Sequence, residues 1–183
     1  MYGLSTDDRD FVLDMGLCQW VDAELLDEIV ERSDSLRRIE AIPMLVGLLE
    51  PVSHGDAAAW RLHPLIREHC TKQRFRKTPD RYRLVNRRIA VALSRRGETV
   101  AAMGHATEAG DAALVGHILI GAGGLRLWLR EGLAVLEAAD RYLTAGMTAR
   151  EPRLALVHCA VLALTGHVAE ARSLTGRLAR LSS

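Results

Sequence analysis

Apolar and polar positions follow two textures along the chain. Near the start, Phe11, Val12 and Met15 form an apolar stripe behind Ser5 or Thr6, either of which can cap a helix whose first turn carries Asp7 and Asp8. A second helix fits Asp22 to Glu31. A third can begin at Ser33 or Asp34, carries Leu36 and Ile39 and reaches toward Ile42, until Pro43 interrupts or kinks it. Leu45 to Val52 then reads as extended, Ser53-His54-Gly55-Asp56 as a turn and Ala58 to Leu62 as a returning strand. His63 and Pro64 open another helix, with proline where its missing N–H is harmless. Leu65 and Ile66 give that helix an apolar face, which His69 and Cys70 can extend.

Three helices followed by a hairpin is the order of a winged helix. Behind Phe75 the text changes to almost unbroken helix signal rich in Ala, Leu and Arg. Gly97, Gly132 and Gly166 punctuate it at spacings of 35 and 34 residues, the period of tetratricopeptide-type helix pairs, which stack to bury a continuous core. Ala92-Leu93 and Gly97 with Ala102 align with Ala163-Leu164 and Gly166 with Ala171 to within one residue. The spacing predicts pairs at 80–96 with 98–109, 111–130 with 132–145, and 152–165 with 168–181. The expected fold is therefore mainly α, with a winged-helix domain over residues 1–76 followed by tetratricopeptide-like antiparallel helical hairpins over 77–183.

Composition refines this picture. Of 183 residues 49% are apolar and 26% charged, which suits a soluble protein able to bury its core without disulfides. No apolar run approaches the roughly 18 to 20 residues of a membrane span, and the acidic opening lacks a signal peptide's positive flank, so a cytoplasmic location is expected. Cys18, Cys70 and Cys159 are odd in number and far apart, as reduced thiols would be, and read as small core residues.

The net charge of +1 hides −6 over residues 1–75 and +7 over 76–183. A winged helix of net −6 is poorly suited to DNA, whose phosphates must be neutralised, and Arg37 and Arg38 beside Glu40 are too few to reverse that. Between Lys72 and Arg96 the net charge is +9 in 25 residues, with Arg81, Arg83, Arg87, Arg88, Arg95 and Arg96 as the candidate docking run. Such a run can be a solvated helix face, can dock the acidic first half or another domain, or can meet nucleic acid.

Several segments resemble one known family. Arg9-Asp10-Phe11-Val12-Leu13-Asp14 is similar to the opening of the winged-helix segment in MalT-like, LuxR-type ATP-dependent transcriptional activators of the STAND class. Trp60-Arg61-Leu62-His63-Pro64-Leu65 resembles the family's "YRYHPLF" stretch. Arg95-Arg96-Gly97, His105-Ala106-Thr107-Glu108-Ala109-Gly110-Asp111 and Arg153-Leu154-Ala155-Leu156 resemble its "ERG", "HALAAGD" and "RPRLAL" signatures in the same order. The resemblance implies a nucleotide-binding domain before this region, repeats that sense an inducer, and a LuxR-type DNA-binding domain after it. Only the middle is present: no G-x-x-x-x-G-K-[ST] loop occurs, so no cofactor is expected on this piece, with ATP or ADP implied for a full-length parent. The resemblance also implies that His63 senses nucleotide in the intact parent, by contacting an ADP phosphate. The bland reading is a structural histidine satisfied by backbone at a strand-to-helix junction.

No metal-ligand spacing accompanies His63, His69 and Cys70, and no nucleophile elbow or carboxylate pair marks a catalytic pocket, so no enzyme is expected. Trp60 and Trp128 read as core residues. Leu174, Leu178 and Leu181 stand at helical spacing on the last helix, and exposed apolar surface there, covered by a dimer mate, is the expectation for a truncated solenoid. The leading reading is a non-catalytic regulatory piece that couples inducer binding to nucleotide state and self-association, with a protein partner or small-molecule inducer on its repeats. A stand-alone helical-repeat adaptor and a small winged-helix DNA binder are the alternatives.

Overall fold

A computed structural model describes residues 4–54 and 57–181, which fall into two compact units, 1–92 and 93–183. In the first, α1 (Thr6–Met15) is capped by Ser5, whose side chain accepts the Asp8 N–H at 3.1 Å. Helix α2 (Ala23–Val30) is capped by Asp22, which accepts the Leu25 N–H at 2.6 Å. Each cap satisfies one of the donors a helix start leaves unpaired, worth about 1 kcal/mol. Helix α3 (Ser35–Ala41) follows, and Pro43 begins the short α4 (Pro43–Val46) instead of leading into a strand. The extended segment therefore starts later than its apolar pattern suggests, as β1 (Leu49–His54), paired antiparallel with β2 (Ala57–Leu62). Gly55 and Asp56 of the expected turn lie outside the described residues. On its other side β2 exchanges two backbone hydrogen bonds with Val21, at Trp60, so the wing is pinned to the segment before α2.

The core of this unit is made by Phe11, Val12, Met15, Leu25, Leu26, Ile29 and Leu45, all 3% exposed or less. Burying each such side chain contributes about 1.5 to 3 kcal/mol. Helix α5 (Pro64–Lys77) buries only part of the face expected of it, with Cys70 inside and Ile66 half-buried. Leu65 is 69% exposed, and the inward face runs through Cys70 and Arg74, one helical turn apart. Cys70 sits so close to α1 that a methyl group on Gly16 would lie 2.7 Å from its sulfur, so this crossing admits only glycine. Burial pushes the Cys70 thiol up to about 11 and that of Cys18 higher still, so both remain protonated. Helix α6 (Pro79–Arg95) contributes Tyr82, Val85 and Ile89 to the first unit. The sequence places the domain boundary after residue 76; in the structure the compact units divide after Ala92, because α6 is bound to the helices before it.

The second unit is helical throughout: α7 (Thr99–Glu108), α8 (Ala112–Gly121), α9 (Arg126–Glu131), α10 (Leu133–Asp140), α11 (Ala145–Arg150), α12 (Pro152–Leu164) and α13 (Val168–Leu181). Consecutive helices pack as hairpins, α7 with α8, α9 with α10, α11 with α12 and α12 with α13, and α10 and α8 also pack on α12. Gly97, Gly132 and Gly166 all sit at links between helices with φ of 81°, 90° and 91°, a conformation that a side chain disfavours. The last expected pair coincides with α12 and α13. The middle one does not: Gly123 and Gly124, both at positive φ, split 111–130 into α8 and α9, and α11 is an additional helix ahead of α12. The core is Met103, Leu119, Leu127 and Leu136, each fully buried, with Val115, Leu154 and Val157 around them. Leu174 is half-buried; the side chains of Leu178 and Leu181 lie outside the described residues.

Candidate functional site

His63 occupies the junction between β2 and α5. Its backbone N–H donates to the Leu48 carbonyl at 2.9 Å, and its own carbonyl accepts from Ile66 and Arg67 at 2.9 and 3.0 Å. The imidazole turns back over the first turn, where Nδ1 accepts the Leu65 N–H at 3.4 Å and caps α5. A neutral ring that accepts at Nδ1 carries its proton on Nε2. The side chain is exposed, so this N–H is presented to solvent at the positive end of a helix of 14 residues. The junction thus combines a backbone role with an available donor for an anion.

At the other end of α5 lies a charge cluster built around Asp14, which is 1% exposed. Arg74, itself buried, donates from Nε to Asp14 Oδ1 at 2.8 Å and from Nη2 to the Asp10 carbonyl at 2.8 Å, and pairs through Nη1 with the Asp10 carboxylate. Arg81 takes the remaining Asp14 oxygen at 2.6 Å, and this hydrogen bond, aided by the charge, raises its guanidinium pKa further. One carboxylate therefore joins α1, α5 and α6, with both oxygens used. Buried ions survive only when paired this completely. Arg88 reaches α2, donating to the Ile29 carbonyl at 3.2 Å and pairing with Glu31 at 2.7 Å, where a cation suits a helix C-terminus.

The basic run is thus divided by role. Arg81 and Arg88 bind α1 and α2, Arg83 pairs with Asp80 on its own helix, and Arg87, Arg95 and Arg96 each have interactions as well. His63 is not part of this cluster: the eleven residue steps along α5 from His63 to Arg74 separate them by about 16 Å at 1.5 Å per residue. Asp14 and Arg74 escape a reading by periodicity. The one local signal is a carboxylate three residues beyond Phe11 on the buried side of α1; its partners lie 60 and 67 positions away, beyond any local pattern.

Helix α3, which carries Arg37 and Arg38, has one of these two cations withdrawn while Arg37 stays exposed. Arg38 is 11% exposed at its side chain, lies over the Phe11 ring at 5.1 Å and binds Asp7 and Asp8. Burial opposes its charge, but the two carboxylates outweigh that and raise its pKa; hydrogen bonds from Ser5 and Arg38 in turn lower that of Asp8. Trp128, expected in the core, is 37% exposed, while Trp60 is half-buried against the wing. Among the described residues no His, Cys, Asp and Glu group is arranged to hold a metal ion, and no helix is long and apolar enough to cross a membrane.

These features meet in one known domain: residues 1–82 match the MalT winged helix domain family. The first 82 residues therefore resemble a MalT winged helix domain. Two relatives, each an HTH-type transcriptional regulator MalT, extend the likeness into the helical half. The regulator from Vibrio cholerae serotype O1 is 28% identical over 154 residues, and that from Vibrio campbellii is 25% identical over 154 residues. Each alignment covers 84% of this chain but only 17% of the relative, so the chain spans a minor share of the regulators it matches. The 82 residues of the domain match include Arg74 and Arg81, and so take in the whole Asp14 cluster.

Proposed function

We propose that this chain is a non-catalytic regulatory piece of a MalT-like bacterial transcription regulator, working in the cytoplasm to couple inducer binding to nucleotide state and self-association. The observation that carries the reading is His63 at the start of α5, its Nδ1 turned to the Leu65 N–H and its side chain exposed, which leaves Nε2 free to donate. That geometry suits a donor to a nucleotide phosphate supplied by a neighbouring domain, and the family match over residues 1–82 supplies the context. Its repeats would carry the inducer or a protein partner. Promoter contact would belong to a separate domain, because the first 75 residues are net −6 and, with Arg38 committed to Asp7 and Asp8, α3 keeps only Arg37 for a phosphate.

The test is made in a full-length parent. Replacing His63→Ala removes one hydrogen bond to a charged group, about 1.5 to 3 kcal/mol, and should weaken ADP binding roughly 10- to 100-fold while raising basal transcription. Unchanged ADP affinity and unchanged basal output would leave His63 a structural cap and sink the coupling. Its removal from α5 should cost little stability, since the cap bond is long.

A further inference from the structure

The second unit carries a surface that its own packing leaves unused. A cavity of 620 Å³ between α9 and the start of α12 is floored by Leu125, Trp128, Leu129 and Leu156. Leu129 is 77% exposed and Leu156 54%, although both stand on helices whose other faces are buried. A second cavity of 510 Å³ lies between α8 and the α11–α12 turn, and the two share Ile120 as a common wall. Both are walled by α8 and the first turns of α12, so the two hollows adjoin at Ile120 and are taken together as one trough. Contiguous exposed apolar surface of this kind marks a site of association.

The charges on the trough select its occupant. Arg126 and Arg153 line the first cavity and Arg150 the second, and none has a hydrogen-bonded or ion-pair partner for its guanidinium among the described residues. The one carboxylate on the lining, Glu151, is turned to the backbone N–H of Arg153, which it caps at 3.2 Å. Arg130, close by on α9, is by contrast paired with Glu131. We infer that this trough binds an acidic amphipathic helix or strand of a partner protein, with apolar side chains seated on Trp128, Leu129 and Leu156 and carboxylates meeting Arg126, Arg150 and Arg153. Nucleic acid would also meet the arginines, but its sugar–phosphate edge gains nothing from a floor of leucines. The inference stands apart from the nucleotide reading of His63, which lies in the other unit.

The test uses the whole chain and a fluorescein-labelled synthetic peptide with leucines at i, i+3, i+4 and i+7 and glutamates between them. Anisotropy should show saturable binding that weakens with salt, while the same peptide with lysine for glutamate and a single-stranded oligothymidine bind at least about 10-fold more weakly. The double variant R126E/R153E and the single variant L129S should each lose about 10-fold or more in affinity for the acidic peptide. All three positions are exposed, so unchanged circular dichroism and melting will show that the fold is intact. No saturable binding of the acidic peptide, equal binding of the lysine peptide, tighter binding of the oligonucleotide, or indifference to R126E/R153E would each overturn the inference.

Discussion

The two halves of this protein use arginine in opposite ways. In the first unit Arg74 is buried and Arg81 and Arg88 are consumed by carboxylates and carbonyls of helices far away in sequence, so positive charge there holds the fold together. In the second unit the hairpins are held by apolar seams with a His158–Asp140 contact between α10 and α12, and Arg126, Arg150 and Arg153 stand around a cavity lining with no such commitment. The same residue type is internal cement in one place and an unfilled binding capacity in the other. What separates the two cases is the opposing carboxylate: Asp14 is present and dry on α1, whereas the trough offers only Glu151, already occupied. Net charge split after residue 75, −6 and +7, conceals this, because a paired and an unpaired arginine count alike and because Arg81 and Arg88 of the first unit fall on the positive side of that cut.

The comparison breaks most visibly at Asp14. Asp14→Asn leaves buried Arg74 with only the half-exposed Asp10 carboxylate as counter-ion and takes the carboxylate from Arg81, and the first unit should lose about 3 to 5 kcal/mol in urea unfolding. A loss under about 1 kcal/mol would show that the cluster is not what holds α1, α5 and α6. The matching change in the second unit is apolar: Leu136→Ala, at a fully buried position, should cost about 2 to 4 kcal/mol through the cavity it leaves. Arg153→Ala, at an exposed position of the same unit, should fall within about 0.5 kcal/mol of the parent, and a larger loss would mean that Arg153 is already engaged in the fold.

The smallest effect separates the paired surface charges from the buried ones. Hydrogen bonds from Ser5 and Arg38 lower the Asp8 pKa in the folded state below its ordinary 3.8. A depressed carboxylate contributes stability that is present above 3.8 and is lost as pH falls through the folded value. The melting temperatures of the parent and Asp8→Asn should therefore differ slightly at pH 6 and converge in acid, and added salt should narrow the gap. A gap that persists unchanged into acid would assign Asp8 a role other than its charge.

Much of the local structure was legible from neighbouring residues. Ser5 and Asp22 mark helix starts because a short polar side chain can reach the N–H two or three residues on. Pro64 marks α5 for the same local reason, and the three spaced glycines mark links because only a residue without Cβ adopts that backbone freely. The motif around His63 located the junction that the structure shows. Less was visible where a residue satisfies two rules at once. Pro43 stops α3 and starts α4, which delays β1, and Leu65 looks inward by periodicity yet points to solvent because Cys70 and Arg74 take the packed face.

By itself the sequence determined the order of elements, the caps and breaks between them, and the MalT-like character carried by short motifs, since all of these depend on residues within a few positions of one another. Tertiary structure alone decided which charges are spent and which are open. Pairing of Asp14 with Arg74 and Arg81 spans 60 and 67 positions, and the assignment of α6 to the first unit follows from it. The exposure of Trp128 and Leu129 was equally undecidable from the chain, because an apolar residue on a helix is buried only if another helix arrives to cover it, and in the described structure none does.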